Sequence, residues 1–181
     1  MYVINILVPV YLHITIEFSD MKLITNKINY TKLRDLLAAG EWQEADLETA
    51  RVILAIAGRD RNSLDNESID NFPCEDLHTI DQLWIEYSKG RFGFSVQKRI
   101  YQILSGTKEH WEIWQEFSVI VGWNASKDIY DEAWLYYDEI TFNLTAPQGH
   151  LPLFLKDASR GLVISLPIGE RFLSRVDTCN L

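Results

Sequence analysis

The sequence predicts an all-α protein, a compact bundle of five to six helices with one long structured loop. Apolar residues recur every three or four positions through most of the chain, which is the spacing of one helix face. A glycine follows most of these runs and marks the end of the helix. The chain has 181 residues, of which 47% are apolar and 24% charged, as is typical of a single soluble domain.

The first two helices are predicted to form an αα-hairpin. One begins at Tyr30 and ends at Gly40, and the next begins at Trp42 and ends at Gly58. A short turn between two such helices makes them antiparallel neighbours. A polar loop over Arg59–Asn66 follows.

Three further helices are predicted in the middle of the chain. Pro73 suits the first turn of a helix that Gly90 ends, because its fixed backbone angle is already helical. Ser95 is expected to cap the next helix. The third carries Trp111 in its apolar stripe and ends at Gly122.

The helical period is lost for about 40 residues after Trp123. Within this stretch Ile140, Phe142 and Leu144 alternate with polar residues, which predicts a short strand. Disordered segments are poor in aromatic residues, and this one is rich in them, so we expect an ordered, functional loop. A last short helix is expected near residues 168–176.

Residues 1–28 are interpreted as an apolar leader in an extended conformation, outside a helical domain that spans residues 29–181. No Lys or Arg precedes Lys22, whereas a secretory signal peptide begins with a positively charged region. Pro9, His13 and Glu17 interrupt the stretch, which argues against a membrane span.

The net charge argues against a nucleic-acid partner, but the uneven distribution of charge leaves two interpretations of a basic strip open. The formal net charge is −9, which argues against a nucleic-acid-binding protein. Residues 41–82 hold 11 acids and 3 bases, whereas residues 89–108 hold 5 bases and no acid. The basic strip at 89–108 is either an ordinary solvated surface or a surface that faces an anion.

The two cysteines predict neither a disulfide scaffold nor a zinc site, because Cys74 and Cys179 lie far apart in the sequence. A reducing compartment is therefore expected, with Cys74 as a free core cysteine near His78. No phosphate-binding glycine loop or metalloprotease motif occurs. The sequence thus predicts no catalytic residue, no metal ligand and no enzyme.

Apolar and aromatic residues on the predicted loops form a candidate binding cluster flanked by arginines. A large, flat, anionic ligand would suit such a surface, but a partner helix or plain loop packing would explain it as well. The cluster comprises Leu64, Phe72, Phe92, Phe94, Trp123, Trp134, Tyr137 and Phe142.

Seven stretches of the chain are familiar as an ordered set. They are Leu33–Leu37, Trp42–Thr49, Asn71–Leu77, Ile80–Trp84, Gly90–Lys98, Val121–Trp123 and Pro147–Pro152. Together they resemble the Genomes Uncoupled Four family, the tetrapyrrole-binding accessory proteins of magnesium chelatase, over about Tyr30 to Pro152. The segment Leu173–Cys179 is similar to the end of the cyanobacterial members.

The resemblance implies an all-helical core shaped like a cupped hand, whose apolar palm holds protoporphyrin IX or magnesium protoporphyrin IX. Its walls would be the loops Arg59–Phe72 and Asn124–His150. It implies a regulator without catalytic activity that stimulates magnesium chelatase in chlorophyll biosynthesis. A location in the cytoplasm of a photosynthetic bacterium or in the plastid stroma follows from it.

The expected ligand contacts combine this resemblance with the residue patterns. They are Leu64, Phe72, Arg91, Phe92, Phe94, Arg99, Trp123, Phe142, Pro147 and His150. Arg91 and Arg99 are expected to face the two propionates, because a guanidinium matches a carboxylate. Of Phe92 and Phe94, one is expected in the core and the other on the ligand side. The alternative is a helical protein-interaction or sensor module with the same fold and a changed ligand.

Overall fold

The computed structural model describes residues 28–59, 64–105, 110–126, 133–153 and 166–181, and residues 1–27 of the predicted leader lie outside them. These ranges hold seven α-helices and a short 3-10 turn, so the all-α class is confirmed. The helices are α1 (Thr31–Ala39), α2 (Trp42–Ile56), α3 (Asn66–Asp70), α4 (Cys74–Tyr87), α5 (Phe94–Leu104), α6 (His110–Ile120) and α7 (Leu166–Thr178).

The predicted hairpin of α1 and α2 is present, and Gly40 ends α1 as expected. Gly40 has a φ of 74°, in the left-handed region, and its N–H lies against the carbonyls of Leu36 and Leu37. None of the helices in the described ranges is long and apolar enough to cross a bilayer.

The helix α3 was not predicted, because it is short and polar. Asp65 precedes it and accepts a hydrogen bond from the Ser68 N–H at 2.9 Å, while the Ser68 hydroxyl lies 3.0 Å from the Asp65 N–H. This reciprocal cap supports a helix of only five residues. A helical turn that packs against α7 therefore begins where the predicted polar loop ends, within the segment Arg59–Phe72 expected as one wall of the site.

The prediction that Ser95 caps α5 is wrong. Ser95 lies inside the helix, and the residue before the helix is Gly93, which has a φ of 131° and no side chain to offer. A carboxylate from α4 replaces it: Asp81 Oδ1 accepts the Ser95 N–H at 2.9 Å. A Cβ at residue 93 would lie 2.8 Å from that oxygen, so glycine is required there.

The short strand predicted at residues 140–144 is also wrong. This part of the chain contains the 3-10 turn Tyr137–Glu139 and then turns and bends. A strand needs a partner for its backbone hydrogen bonds, and residues 140–144 form no bridge in the described part of the chain, whereas Trp134 earlier in the loop pairs with Asn124. The alternation reflects burial of Ile140, not pairing.

Aromatic rings fill the centre of the bundle. Trp84 of α4 contacts Trp42 of α2 and Phe92 of the α4–α5 link, with ring centroids 6.1 and 6.3 Å apart. The Trp84 indole donates to the Thr49 hydroxyl at 2.9 Å, so its buried N–H is satisfied. Trp114 and Phe117 of α6 form a second aromatic group with Tyr101 of α5.

The expectation of free, reduced cysteines is wrong, because Cys74 and Cys179 form a disulfide. The two residues are 105 positions apart, and only the return of α7 to the start of α4 brings them together. His78 lies one turn beyond Cys74, and its Nε2 is 2.8 Å from the Cys179 carbonyl. The covalent bond therefore joins the C-terminal end of the bundle to its middle.

Candidate binding site

The segment 133–153, here called the platform loop, crosses the bundle between α6 and α7. Its first residues pair with those that follow α6: the Ala125 N–H donates to the Ala133 carbonyl at 2.9 Å. The Leu135 N–H donates to the Trp123 carbonyl at 3.0 Å. The start of the described loop is thus hydrogen-bonded to the residues that follow α6. This agrees with the ordered loop that the aromatic content predicted.

Asp46 of α2 holds two distant points of the platform loop. Its Oδ2 accepts the Tyr137 hydroxyl at 3.1 Å, and its Oδ1 accepts the Leu153 N–H at 2.6 Å. Burial and the nearby Asp46 carboxylate raise the pKa of Tyr137 above its ordinary value of 10.0, so the phenol stays protonated and remains a donor. One buried acid therefore docks both the turn and the end of the loop on α2.

The end of the platform loop is fastened to α5 and the link before it. Gln97 donates from Nε2 to the carbonyls of Gly149 at 2.9 Å and Pro152 at 2.8 Å. The Gly93 N–H donates to the Leu151 carbonyl at 3.0 Å. The segment is therefore part of the rigid core and not a free loop.

Trp123 and His150 connect the platform loop to the end of α6. The Trp123 indole donates to the His150 carbonyl at 2.8 Å, and His150 Nδ1 lies 2.6 Å from the Val121 carbonyl. Because a carbonyl only accepts, Nδ1 carries the proton and Nε2 bears the lone pair. His150 Nε2 is buried and has no hydrogen-bond partner among the described residues, and burial lowers the pKa of this imidazole below its ordinary value of 6.5.

Six of the ten expected ligand contacts are buried in this structure. The indole of Trp123 and both phenylalanine rings of the α4–α5 link are completely covered, so the expected division of Phe92 and Phe94 between core and ligand side is not seen. The expectation that at least one of them lies in the core is confirmed. The six buried residues are Leu64, Phe72, Phe92, Phe94, Trp123 and His150.

The remaining four expected contacts lie nearer the surface. Phe142 and Arg91 are half-buried, and Arg99 and Pro147 are exposed. The Phe142 ring packs against Tyr137 with centroids 5.1 Å apart. Only these four present atoms that a ligand could reach without rearrangement.

Three apolar residues that the expected contacts omit are exposed beside the platform loop. Tyr136 is 56% exposed and Leu144 is 42% exposed, both on the loop itself. Leu47 follows the anchoring Asp46 on α2 and is 45% exposed. Leu47 and Leu144 are apolar residues in polar neighbourhoods, whereas Tyr136 lies among other apolar residues, so only the fold shows that all three stay uncovered.

The basic strip divides into groups with different partners. Arg91 donates from Nη1 to the Ala146 carbonyl at 3.0 Å, so it holds the platform loop. Lys98 lies 3.3 Å from Asp177 of α7, so it holds the last helix. Arg99 is exposed on α5. The strip is thus partly structural, and Arg99 and Lys89 are exposed members of its described part.

No group of three or more His, Cys, Asp or Glu residues in the described part of the chain is arranged to hold a metal ion. Cys74 is committed to its disulfide. Its sulfur is therefore unavailable as a thiolate ligand in this state.

Comparison with known proteins places this arrangement among related chains. A family model described as GUN4-like matches residues 24–167. A solved structure of GUN4 from Chlamydomonas reinhardtii superposes with a TM-score of 0.66 at 29% identity and covers 86% of this chain and 93% of that chain. The ligand-free structure of Arabidopsis thaliana GUN4 gives a TM-score of 0.60 at 31% identity and covers 81% and 92% of the two chains.

Curated relatives show the same similarity in sequence. The ycf53 protein of Porphyra purpurea is 38% identical over 130 residues, which are 70% of this chain and 50% of that protein. The Ycf53-like protein of Synechocystis is 35% identical, over 70% of this chain and 51% of that protein. A protein of Arabidopsis thaliana named a chloroplastic tetrapyrrole-binding protein is 34% identical over 67% of this chain and 46% of that protein. The chain spans about half the length of these relatives.

Proposed function

Because this chain belongs to the GUN4-like family, we propose that it is a non-catalytic, tetrapyrrole-binding regulator. The proposed ligand is protoporphyrin IX or magnesium protoporphyrin IX, and the proposed partner is magnesium chelatase in chlorophyll biosynthesis. The observation that carries the proposal is the family match over residues 24–167, together with a relative that is named for tetrapyrrole binding. The proposed location is the cytoplasm of a photosynthetic bacterium or the plastid stroma.

The platform loop supplies the physical basis for an apolar ligand. A porphyrin is a flat apolar ring, and it gains free energy by covering apolar side chains that would otherwise face water. Tyr136 and Leu144 are exposed on a loop that Asp46 and Gln97 fix in place. A surface held in this way does not have to be ordered when the ligand binds, which favours affinity.

Arg99 is the proposed partner of one propionate. Its guanidinium is exposed on α5, whereas that of Arg91 already donates to the Ala146 carbonyl. A charge-assisted bond at an exposed site is screened by water and is worth about 1 kcal/mol or less. Arg99→Ala should therefore weaken porphyrin binding only several-fold, and added salt should have the same effect. Affinity indifferent to both changes would remove Arg99 from the site.

The metal of a magnesium porphyrin would be held by oxygen, which is the ligand magnesium prefers. The described residues offer backbone carbonyls and amide side chains around the platform loop, and the sulfur of Cys74 is engaged. When bound, the metal would supply a fifth coordination position for such an oxygen or for water. The chain's own contribution is to cover the ring and to orient its propionates.

Titration with protoporphyrin IX, followed by tryptophan fluorescence, tests the proposal. Saturable quenching is expected, since the chain has 6 tryptophans and the porphyrin absorbs in their emission range. Replacing Tyr136 and Leu144 together by Ala should weaken binding roughly 10–100-fold through lost apolar contact. The matched control is Ile103→Ala on α5, which is 78% exposed and lies outside the platform loop. Equal effects of the two variants would contradict this site.

Burial of most of the expected contacts favours a second candidate, a helical protein-interaction or sensor module with a changed ligand. Phe72, Phe92, Phe94 and Trp123 are covered by the chain itself. Under this alternative the folded protein would show no saturable quenching by protoporphyrin IX. A magnesium chelatase assay with and without the protein then decides the partner, because a regulator of that enzyme should raise its rate.

A further inference from the structure

We propose that the Cys74–Cys179 disulfide is an exchange site for a dithiol protein reductant, and that its reduction loosens the C-terminal half of α7. The bond joins Cys74, the first residue of α4, to Cys179, the residue that follows α7. This bond holds the end of α7 covalently, whereas the other contacts of α7 are non-covalent. The proposal concerns a chemical modification site that the proposed function does not require.

The two cysteine residues differ in exposure. Cys74 is half-buried in the first turn of α4, whereas Cys179 is only 4% exposed and lies inside the core cluster. An incoming thiolate must reach the sulfur it attacks. The attack is therefore directed to Cys74, and Cys179 is the sulfur that leaves.

The exchange balances in two steps. A thiolate of the reductant forms a bond to Cys74 Sγ, the bond between Cys74 and Cys179 breaks, and Cys179 leaves as a thiolate that takes up a proton. The second thiolate of the reductant then attacks its own partner sulfur in the mixed disulfide and releases Cys74. The reductant is oxidised to a disulfide, and the chain gains two thiols.

The other contacts of α7 are of two kinds. Arg171 pairs with Asp70, but both side chains are largely exposed, so that ion pair is screened by water. Arg175 donates from Nε and Nη2 to the Phe72 carbonyl at 3.0 and 2.7 Å. Once the disulfide is broken, the end of α7 depends on such bonds, on the contacts of Asp177 with Lys98 and Gln102, and on the burial of Val176. A helix end held in this way opens locally at a lower free energy than the core.

The contact with Phe72 links this helix to the ligand, a step that rests on the proposed function. Phe72 ends the segment Arg59–Phe72, which the family resemblance implies to be one wall of the site, and its carbonyl accepts hydrogen bonds from Arg175. The Phe172 ring also packs against those of Phe72 and Phe94, with centroids 6.4 and 5.0 Å away. Loosening α7 therefore leaves the base of that wall less ordered, and binding must supply the ordering.

The site of attack is tested by trapping. The oxidised protein is incubated under native conditions with a thioredoxin whose second cysteine is replaced by Ser, so that the mixed disulfide persists. Peptide mass spectrometry should find the thioredoxin bound to Cys74. A mixed disulfide at Cys179, or reduction that occurs only after the protein is unfolded by urea, would overturn the proposal.

Hydrogen exchange tests the effect on α7. After reduction with dithiothreitol, exchange of the amides in the second half of α7 should accelerate at least several-fold, while α2 is unchanged. The double variant Cys74→Ser with Cys179→Ser should reproduce the reduced state and should not respond to dithiothreitol. Identical exchange of α7 in the oxidised, reduced and double-variant proteins would show that the bond holds nothing in place and would contradict the proposal.

Protoporphyrin titration of the two redox states separates this inference from the proposed function. The reduced protein should bind several-fold more weakly than the oxidised one, and the double variant should match the reduced protein. Equal affinity of both states would overturn the link to the ligand. If neither state binds protoporphyrin, the proposed function fails, while trapping and hydrogen exchange still decide whether Cys74 is the exchange site.

Discussion

Asp46 determines where the platform loop lies, although it is a single residue on the second helix. Its carboxylate is buried, accepts a phenol and a backbone N–H, and so joins α2 to two points of the loop that are 16 residues apart (137 and 153). A buried carboxylate is costly unless its oxygens are hydrogen-bonded. The loop and the acid therefore stabilise each other.

Replacing Asp46 by Ala should destabilise the protein by about 1–3 kcal/mol, because the Leu153 N–H and the Tyr137 hydroxyl lose a buried acceptor. Urea denaturation measures the loss. The control is Glu44→Ala, which removes the same charge from an exposed position of the same helix. A loss no larger than that of the control would show that the platform loop does not depend on this anchor.

His150 should make the stability depend on pH. Burial holds its pKa below the ordinary value of 6.5, so below pH 6.5 the unfolded chain binds a proton there that the folded chain excludes. The free energy of unfolding should fall as the pH decreases from 6.5 towards the lowered pKa, with no contribution from this residue above that range. Denaturation curves at several pH values measure the slope. His150→Gln should make it shallower, and an unchanged slope would contradict the assignment.

At the scale of the elements, the packing of α7 on α6 depends on one glycine. A Cβ placed on Gly169 would lie 2.0 Å from Cη2 of Trp114, which is closer than two carbon atoms can approach. The helices therefore meet with almost no space between the backbone of one and the indole of the other.

Gly169→Ala should destabilise the protein by about 1–3 kcal/mol through overpacking, even though alanine favours a helix over glycine by about 1 kcal/mol. Ser174→Ala at an exposed position of the same helix is the control and should be nearly neutral. The midpoint of thermal unfolding is a sufficient measurement. A stabilised Gly169→Ala variant would mean that α7 does not pack against Trp114 in this way.

At the scale of the whole molecule, the disulfide closes a loop of 105 residues. Such a bond restricts the unfolded chain and typically stabilises a fold by about 2–4 kcal/mol. For a domain of this size, the double variant Cys74→Ser with Cys179→Ser should lower the midpoint of thermal unfolding by roughly 5–15 °C. Equal midpoints of the oxidised protein and the double variant would contradict this. The measurement is independent of any ligand.

The sequence by itself determined the fold class, the positions of most helices and the family. Helical periodicity and the glycine stops are local properties, so Gly40 and the helix after Trp42 could be assigned without tertiary information. The aromatic content also predicted order in the long segment after Trp123, and the described residues 133–153 of that segment pack on the bundle. The same reasoning missed α3, because its stability comes from a reciprocal cap and from packing on α7.

Only the tertiary structure decided which apolar residues are covered and which residues meet across long sequence distances. Trp123 and one of Phe92 and Phe94 were expected on the ligand side, yet the chain buries all three. The disulfide between Cys74 and Cys179 could not be predicted, since its two ends approach only when the last helix returns to α4. Periodicity reports which face of a helix is apolar, but what covers that face depends on contacts between residues far apart in the chain.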